Sequence, residues 1–154
     1  MAYIEEPVPP EVIESILKSD WDPLGGTTPQ PAIINANVAE EAYARINLRQ
    51  ADHLIIRTDV SGETEELRAS YKFRDVRYKV EIQLLTMKNR QRLYNLKKVV
   101  RKVLYGRMHD TTTTGYQLIR YESFVESVQE QLNVWMGTIT VSFESTGIPA
   151  GDII

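Results

Sequence analysis

Residues 76–84 alternate without a break: Val76, Tyr78, Val80, Ile82 and Leu84 are apolar or aromatic, and Arg77, Lys79, Glu81 and Gln83 stand between them. A period of two sends the two sets to opposite sides of an extended chain, so the spacing predicts a strand with one buried and one wet face. The period then changes. Leu93, Leu96, Val100 and Val103 recur at intervals of three and four, which predicts an amphipathic helix over 88–105, with Thr86 placed to cap it and Gly106 available for its exit. A half-buried strand running into such a helix points to an α+β fold, a mainly antiparallel sheet flanked by two or three helices.

The rest of the chain fits that class. Val12, Ile13, Ile16 and Leu17 share one helical face between Pro10 and about Ser19, where a leading proline needs no amide donor. Asp22 to Pro31 holds three prolines, Gly25 and Gly26 and reads as a loop before the apolar Ala32-Ile33-Ile34. A second helix is expected over 38–50, then a buried strand at Leu54-Ile55-Ile56 and a turn at Ser61-Gly62. Leu67, Ala69, Tyr71 and Phe73 alternate one residue out of phase with Val76 to Leu84, so a bulge or turn is predicted near Arg74 and Asp75. Thr111 to Gly115 reads as an exposed loop, Tyr116 to Ser127 as a strand, and Trp135, Ile139, Val141 and Phe143 as a last strand before an irregular tail from Gly147. The expected organisation is one domain over 1–154, with an N-terminal arm at 1–9 and a C-terminal tail at 147–154.

Composition narrows the functions. With 42% apolar residues in 154, the chain can bury a core without staples, and with no cysteine it has neither disulfides nor thiolate metal sites, which fits a reducing compartment. Glu5, Glu6 and three prolines occupy the first ten residues, where a signal peptide needs a basic start and an apolar run, and no apolar stretch is long enough to span a membrane; synthesis in the cytoplasm and no membrane partner are expected. Only His53 and His109 could serve as imidazole ligands, and no carboxylate spacing completes a metal site with them. Gly25-Gly26-Thr27-Thr28 lacks the lysine of a phosphate loop and runs into Pro29, and no nucleophile elbow occurs. No catalytic, cofactor-binding or metal residues are assigned, and the chain is read as an assembly or binding protein and not an enzyme.

The net charge of −3 conceals three blocks: −9 over residues 1–67, +11 over 68–107 and −5 over 108–154. Segregation of this kind gives one basic surface and separate acidic ones. On the outward face of the predicted helix, Tyr94, Lys98, Arg101 and Tyr105 follow at spacings of four, three and four and can be touched together. Lys88, Arg90 and Arg92 crowd its first turns, where the helix dipole disfavours cations by roughly a few tenths of a kcal/mol each, so an anion is expected nearby. The basic face can be solvated, paired with acidic residues of a neighbouring copy, or laid against nucleic-acid phosphates. Glu63, Glu65 and Glu66, expected at a hairpin tip, are the candidate acidic counterparts.

From about Pro29 to Phe143 the chain resembles the tail terminator, or tail-completion, proteins of long-tailed bacteriophages and archaeal tailed viruses. The resemblance is carried by element order: a first helix, the strand His53-Leu54-Ile55-Ile56-Arg57, the strand Tyr78 to Thr86 entering the helix Arg90 to Leu104, and the closing strand Thr138 to Phe143. Its most characteristic run is Thr86-Met87-Lys88-Asn89-Arg90-Gln91-Arg92-Leu93-Tyr94, a basic turn joining strand to helix. The resemblance implies a virion protein assembled in the host cytoplasm. It would form a ring, usually a hexamer, that ends the tail tube, meets the neck or connector proteins and lets genomic DNA through its lumen. Lys88, Arg90, Arg92, Tyr94, Lys98, Arg101 and Tyr105 are the candidate interface or lumen residues. A head-tail connector of the same virion would share this element order, and a nucleic-acid-binding accessory protein would use the same basic helix.

Overall fold

A computed structural model describes residues 8–36, 51–57, 62–67, 73–129 and 134–149. The expected helix at 38–50, the turn at Ser61, the alternation through Ala69 and Tyr71, and both terminal segments beyond these bounds lie outside the described residues. The elements are α1 (Pro9–Gly25), β1 (Ala32–Ala36), β2 (His53–Arg57), β3 (Gly62–Leu67), β4 (Phe73–Thr86), α2 (Arg90–Gly106), a single turn α3 (Thr111–Thr114), β5 (Leu118–Gln129) and β6 (Val134–Pro149).

Among the described residues the strands form one six-stranded sheet in the order β1-β2-β4-β6-β5, with β3 on β4 beside β2. β1 and β2 run parallel, and every other pairing is antiparallel, so the chain has the expected α+β class. β4 is the spine: β2 lies along its Ile82–Leu85 half, β3 along its Arg74–Lys79 half, and β6 along nearly all of its other side. The register of β4 against β6 shifts between Arg74 and Val76, where the change of alternation phase places a bulge.

Both helices pack on one face of this sheet. Ile13, Ile16, Leu17 and Trp21 of α1 and Leu93, Leu96, Val100 and Val103 of α2 share a core with Leu54, Ile56, Val80, Ile82, Leu84, Ile139, Val141 and Phe143. These strand residues alternate along their strands, as one face of a pleated sheet requires. A smaller cluster of Ile34, Ile55, Leu85, Val134 and Met136 occupies the opposite face at the β1 end of the spine. Beside the core, a Cβ built on Gly137 of β6 would stand 2.2 Å from the Phe124 ring of β5, so glycine is what lets that ring lie flat across the strand pair.

Several boundaries depart from the sequence reading. α1 does not stop at Ser19 but runs to Gly25 through Pro23, because Trp21 is fully buried and its Nε1 donates to the Thr28 carbonyl at 3.2 Å; the missing proline amide falls only in the last turn. Gly26 then closes the helix at φ 57°. α2 is capped by Asn89 and not by Thr86: the Asn89 side chain accepts from the Arg92 amide at 2.7 Å. Its exit is closed by the Arg107 amide, which reaches the Val103 and Leu104 carbonyls at 3.2 Å, and Gly106 is simply its last residue. The threonine run is a helical turn and not a loop, because Asp110 caps it and Gly115 leaves it in the left-handed conformation. β6 continues to Pro149 on Arg74 and Phe73, so no irregular tail begins at Gly147. Glu63, Glu65 and Glu66 lie along the body of β3, opposite Tyr78, Val76 and Asp75, and not at a hairpin tip. Among the described residues, no helix is long and apolar enough to cross a membrane.

Candidate interaction site

The helix stripe that buries Leu93, Leu96, Val100 and Val103 necessarily turns the basic residues of α2 away from the sheet or toward its β5 margin. The structure divides the seven residues singled out above. The three cations at the start of the helix, Lys88, Arg90 and Arg92, each face a carboxylate of the same chain, Lys88 only loosely. Asp52, at the threshold of β2, has a carboxylate side chain only 2% exposed. That carboxylate accepts from Arg92 Nε, from the Thr86 hydroxyl at 2.6 Å, and stands 3.9 Å from Lys88 Nζ. Arg92 also donates to the Pro29 carbonyl at 3.1 Å, and the Asp52 carbonyl accepts from Ala32 at 2.9 Å, so one buried acid ties together β1, β2, the end of β4 and the first turn of α2. The anion required by the helix dipole is therefore intramolecular.

Glu126 of β5 plays the same part on the other flank. It receives Arg90 through Nε at 2.8 Å and Nη2 at 2.9 Å, and the Tyr94 hydroxyl at 2.8 Å. The hydrogen bonds from Arg90 and Tyr94 hold its carboxyl below the usual range against the opposing effect of burial. Tyr94 is further fixed edge-on against Phe124, with ring centroids 5.7 Å apart, and Lys97 Nζ stands over both rings at 4.5 and 4.9 Å. Tyr94 is thus committed to β5 and does not join Lys98, Arg101 and Tyr105 on an open face.

What remains outward is a compact basic patch. Lys98, Arg101 and Lys102 have no carboxylate partner among the described residues, Lys97 sits beside them on the aromatic pair, and Tyr105 is 53% exposed at the far end. Tyr121 of β5 lies under this end, its hydroxyl pushed up by burial, with the nearby Arg101 charge pulling the other way. The sequence reading missed Lys97 and Lys102, which the same three-and-four spacing from Tyr94, Lys98 and Arg101 would have found. It also missed Asp52 and Glu126, which reach their partners across 40 and 36 residues and leave no local signal. His53 is buried at the first position of β2, its Nδ1 3.0 Å from the Ala51 carbonyl, and among the described residues no group of three or more His, Cys, Asp or Glu side chains gathers to hold a metal ion.

The placement of the patch matters as much as its charge. α1 and α2 pack side by side on one face of the sheet, α1 over β1, β2 and β4 and α2 over β4, β6 and β5, so α1 lies toward the β1 margin and α2 toward the β5 margin. α1 presents Glu11 and Asp22, both exposed and without a cationic partner among the described residues. Its Asp20 is spent internally on a two-bond pairing with Arg107 at 2.8 and 2.9 Å. The outward side chains left without an opposite charge among the described residues are thus cationic on α2 and anionic on α1. No protein-family model matches this chain, and no curated protein matches it either.

Proposed function

We propose that this protein is a structural, ring-forming component that assembles head to tail from copies of itself. Within that class it acts as a tail terminator, capping the tail tube of a tailed virus and joining it to the neck proteins, with genomic DNA passing through the lumen. The observation that carries the proposal is the separation of unpaired charge between the two helices: the cations Lys98, Arg101 and Lys102 on α2 toward one margin of the sheet, and Glu11 and Asp22 on α1 toward the other. A heterologous interface needs complementary patches on different sides of one subunit, and it closes into a ring when the rotation per copy allows. The element order supports the particular assignment through its resemblance to tail terminators. It accords with a part that works by shape and contact, since the internal ion pairs of α2 serve to hold the helix and leave its outer face for a partner.

The same cations favour a second reading, contact with nucleic-acid backbone phosphates, which would show as binding that falls steeply with added salt. One experiment addresses both. Lys98→Glu combined with Arg101→Glu touches no internal pair, so the variant is expected to keep the far-ultraviolet spectrum and melting behaviour of the monomer while losing assembly and association with tail-tube ends. Unchanged assembly and unchanged tube binding would overturn the proposal, and loss of DNA binding alone would leave only the second reading.

A further inference from the structure

β5 is the last strand on its side of the sheet and, among the described residues, pairs only with β6. An edge strand exposes a row of unpaired backbone groups, and proteins usually guard it with lysine, proline, a bulge or a charge turned outward. The first half of β5 has such guards: the register shifts between Tyr121 and Ser123, with Arg120 and Glu122 beside the irregularity. The second half has none. Ser123-Phe124-Val125-Glu126-Ser127-Val128-Gln129 contains no lysine, proline or glycine, its one charge is occupied by Arg90 and Tyr94, and Val125 is 64% exposed with Ser123 and Ser127 two residues to either side. The unguarded half is also the half that Tyr94 and Lys97 of α2 adjoin.

A strand that pairs here would come to lie next to the basic patch of Lys97, Lys98, Arg101 and Lys102. This chain has a strand of matching length and opposite charge. β3, Gly62-Glu63-Thr64-Glu65-Glu66-Leu67, is six residues long, carries three glutamates, and among the described residues pairs only with β4. We infer that residues 123–129 of β5 accept β3 of a second copy as an added strand, so that the sheet continues from one subunit to the next. Backbone hydrogen bonds supply the attachment, and the pairing of acidic strand with basic helix selects this strand over the uncharged β1. The inference rests on the head-to-tail ring proposed above and names its contact.

Because the chain has no cysteine, the contact can be tested by single-cysteine variants of the full-length protein. Ser123→Cys, Val125→Cys and Ser127→Cys, each carrying a size tag, are mixed in turn with untagged Thr64→Cys or Glu65→Cys and oxidised. Directly opposed residues on paired strands bring their Cβ atoms within disulfide reach, so one combination should stand out. Its heterodimer yield should exceed that of either variant alone, and that of Thr112→Cys on the exposed turn α3, by about ten-fold or more, because assembly raises the effective concentration. Native mass measurement on the same mixtures separates the possible failures. Multi-copy assemblies in which no combination cross-links above the Thr112→Cys control would overturn the strand contact and leave the ring standing. A strict monomer throughout would overturn both.

Discussion

Replacing Asp52 with alanine should destabilise this fold more than its position beside a short strand would suggest. The carboxylate is 2% exposed and receives Arg92 Nε and the Thr86 hydroxyl, while Arg92 itself is only 11% exposed. Removing one partner of a buried ion pair leaves the other charge uncompensated, which costs about 3–5 kcal/mol, and the orphaned Thr86 hydroxyl adds roughly 1 kcal/mol. Two features offset this: Arg92 keeps the Pro29 carbonyl at 3.1 Å, and Lys88 is exposed and turns freely to water. A net loss of about 3 kcal/mol follows, against a total stability on the order of 5–15 kcal/mol for a domain. In urea unfolding at neutral pH the midpoint should fall by about 1.5 M with little change in slope, taking a slope near 2 kcal/mol per molar. Asp52→Ala combined with Arg92→Met should be more stable than the sum of the single losses, because the second change removes the charge that the first strands. A single-variant loss below about 1 kcal/mol, or strict additivity in the pair, would show that Asp52 does not anchor the start of α2 as described.

Other perturbations read other parts of the structure. Gly137→Ala forces a methyl group into the Phe124 ring, 2.2 Å away, and should cost about 1–3 kcal/mol by overpacking; Gly137→Ala with Phe124→Leu should recover much of it in the same urea assay. Acid should weaken the junction of α1 with the α2–α3 turn. The hydrogen bonds from Arg107 lower the carboxyls of Asp20 and Asp110 below their ordinary values, so their contribution to stability is present above the unfolded carboxylate range and is lost as pH falls through the folded values. The urea midpoint should therefore drop on acidification below about pH 4, and Arg107→Gln should flatten that dependence; an unaltered acid slope in the variant would show that other carboxylates carry it.

Much of the fold was legible because its longest elements carry clean periods. The alternation from Val76 to Leu84 fixed β4 and its buried face, the phase change before it located the irregularity between Arg74 and Val76, and the stripe from Leu93 to Val103 fixed α2. What escaped were features decided by contacts distant in the chain. Pro23 argues locally against helix, but the burial of Trp21 against the core carries α1 onward to Gly25. Gly147 and Pro149 look like the start of a tail, but pairing with the Phe73–Arg74 end of β4 keeps them in strand. Of the proposed site, the basic face was visible from spacing alone. Its division was not: Arg90 and Tyr94 are engaged by Glu126 of β5 and Arg92 by Asp52 just before β2, which leaves Lys98, Arg101 and Lys102 as the unpaired outward group.

The proposed ring depends on the cations of α2 in one copy meeting the acids of the next copy. The mass of the native, full-length protein, measured by light scattering or native mass spectrometry at low and then at raised salt, tests that dependence directly. A closed assembly of several copies, six if the likeness to tail terminators extends to its symmetry, should predominate at low salt and loosen as salt screens the margins. A protein that stays monomeric at low salt and high concentration, even beside tail-tube ends, would contradict it.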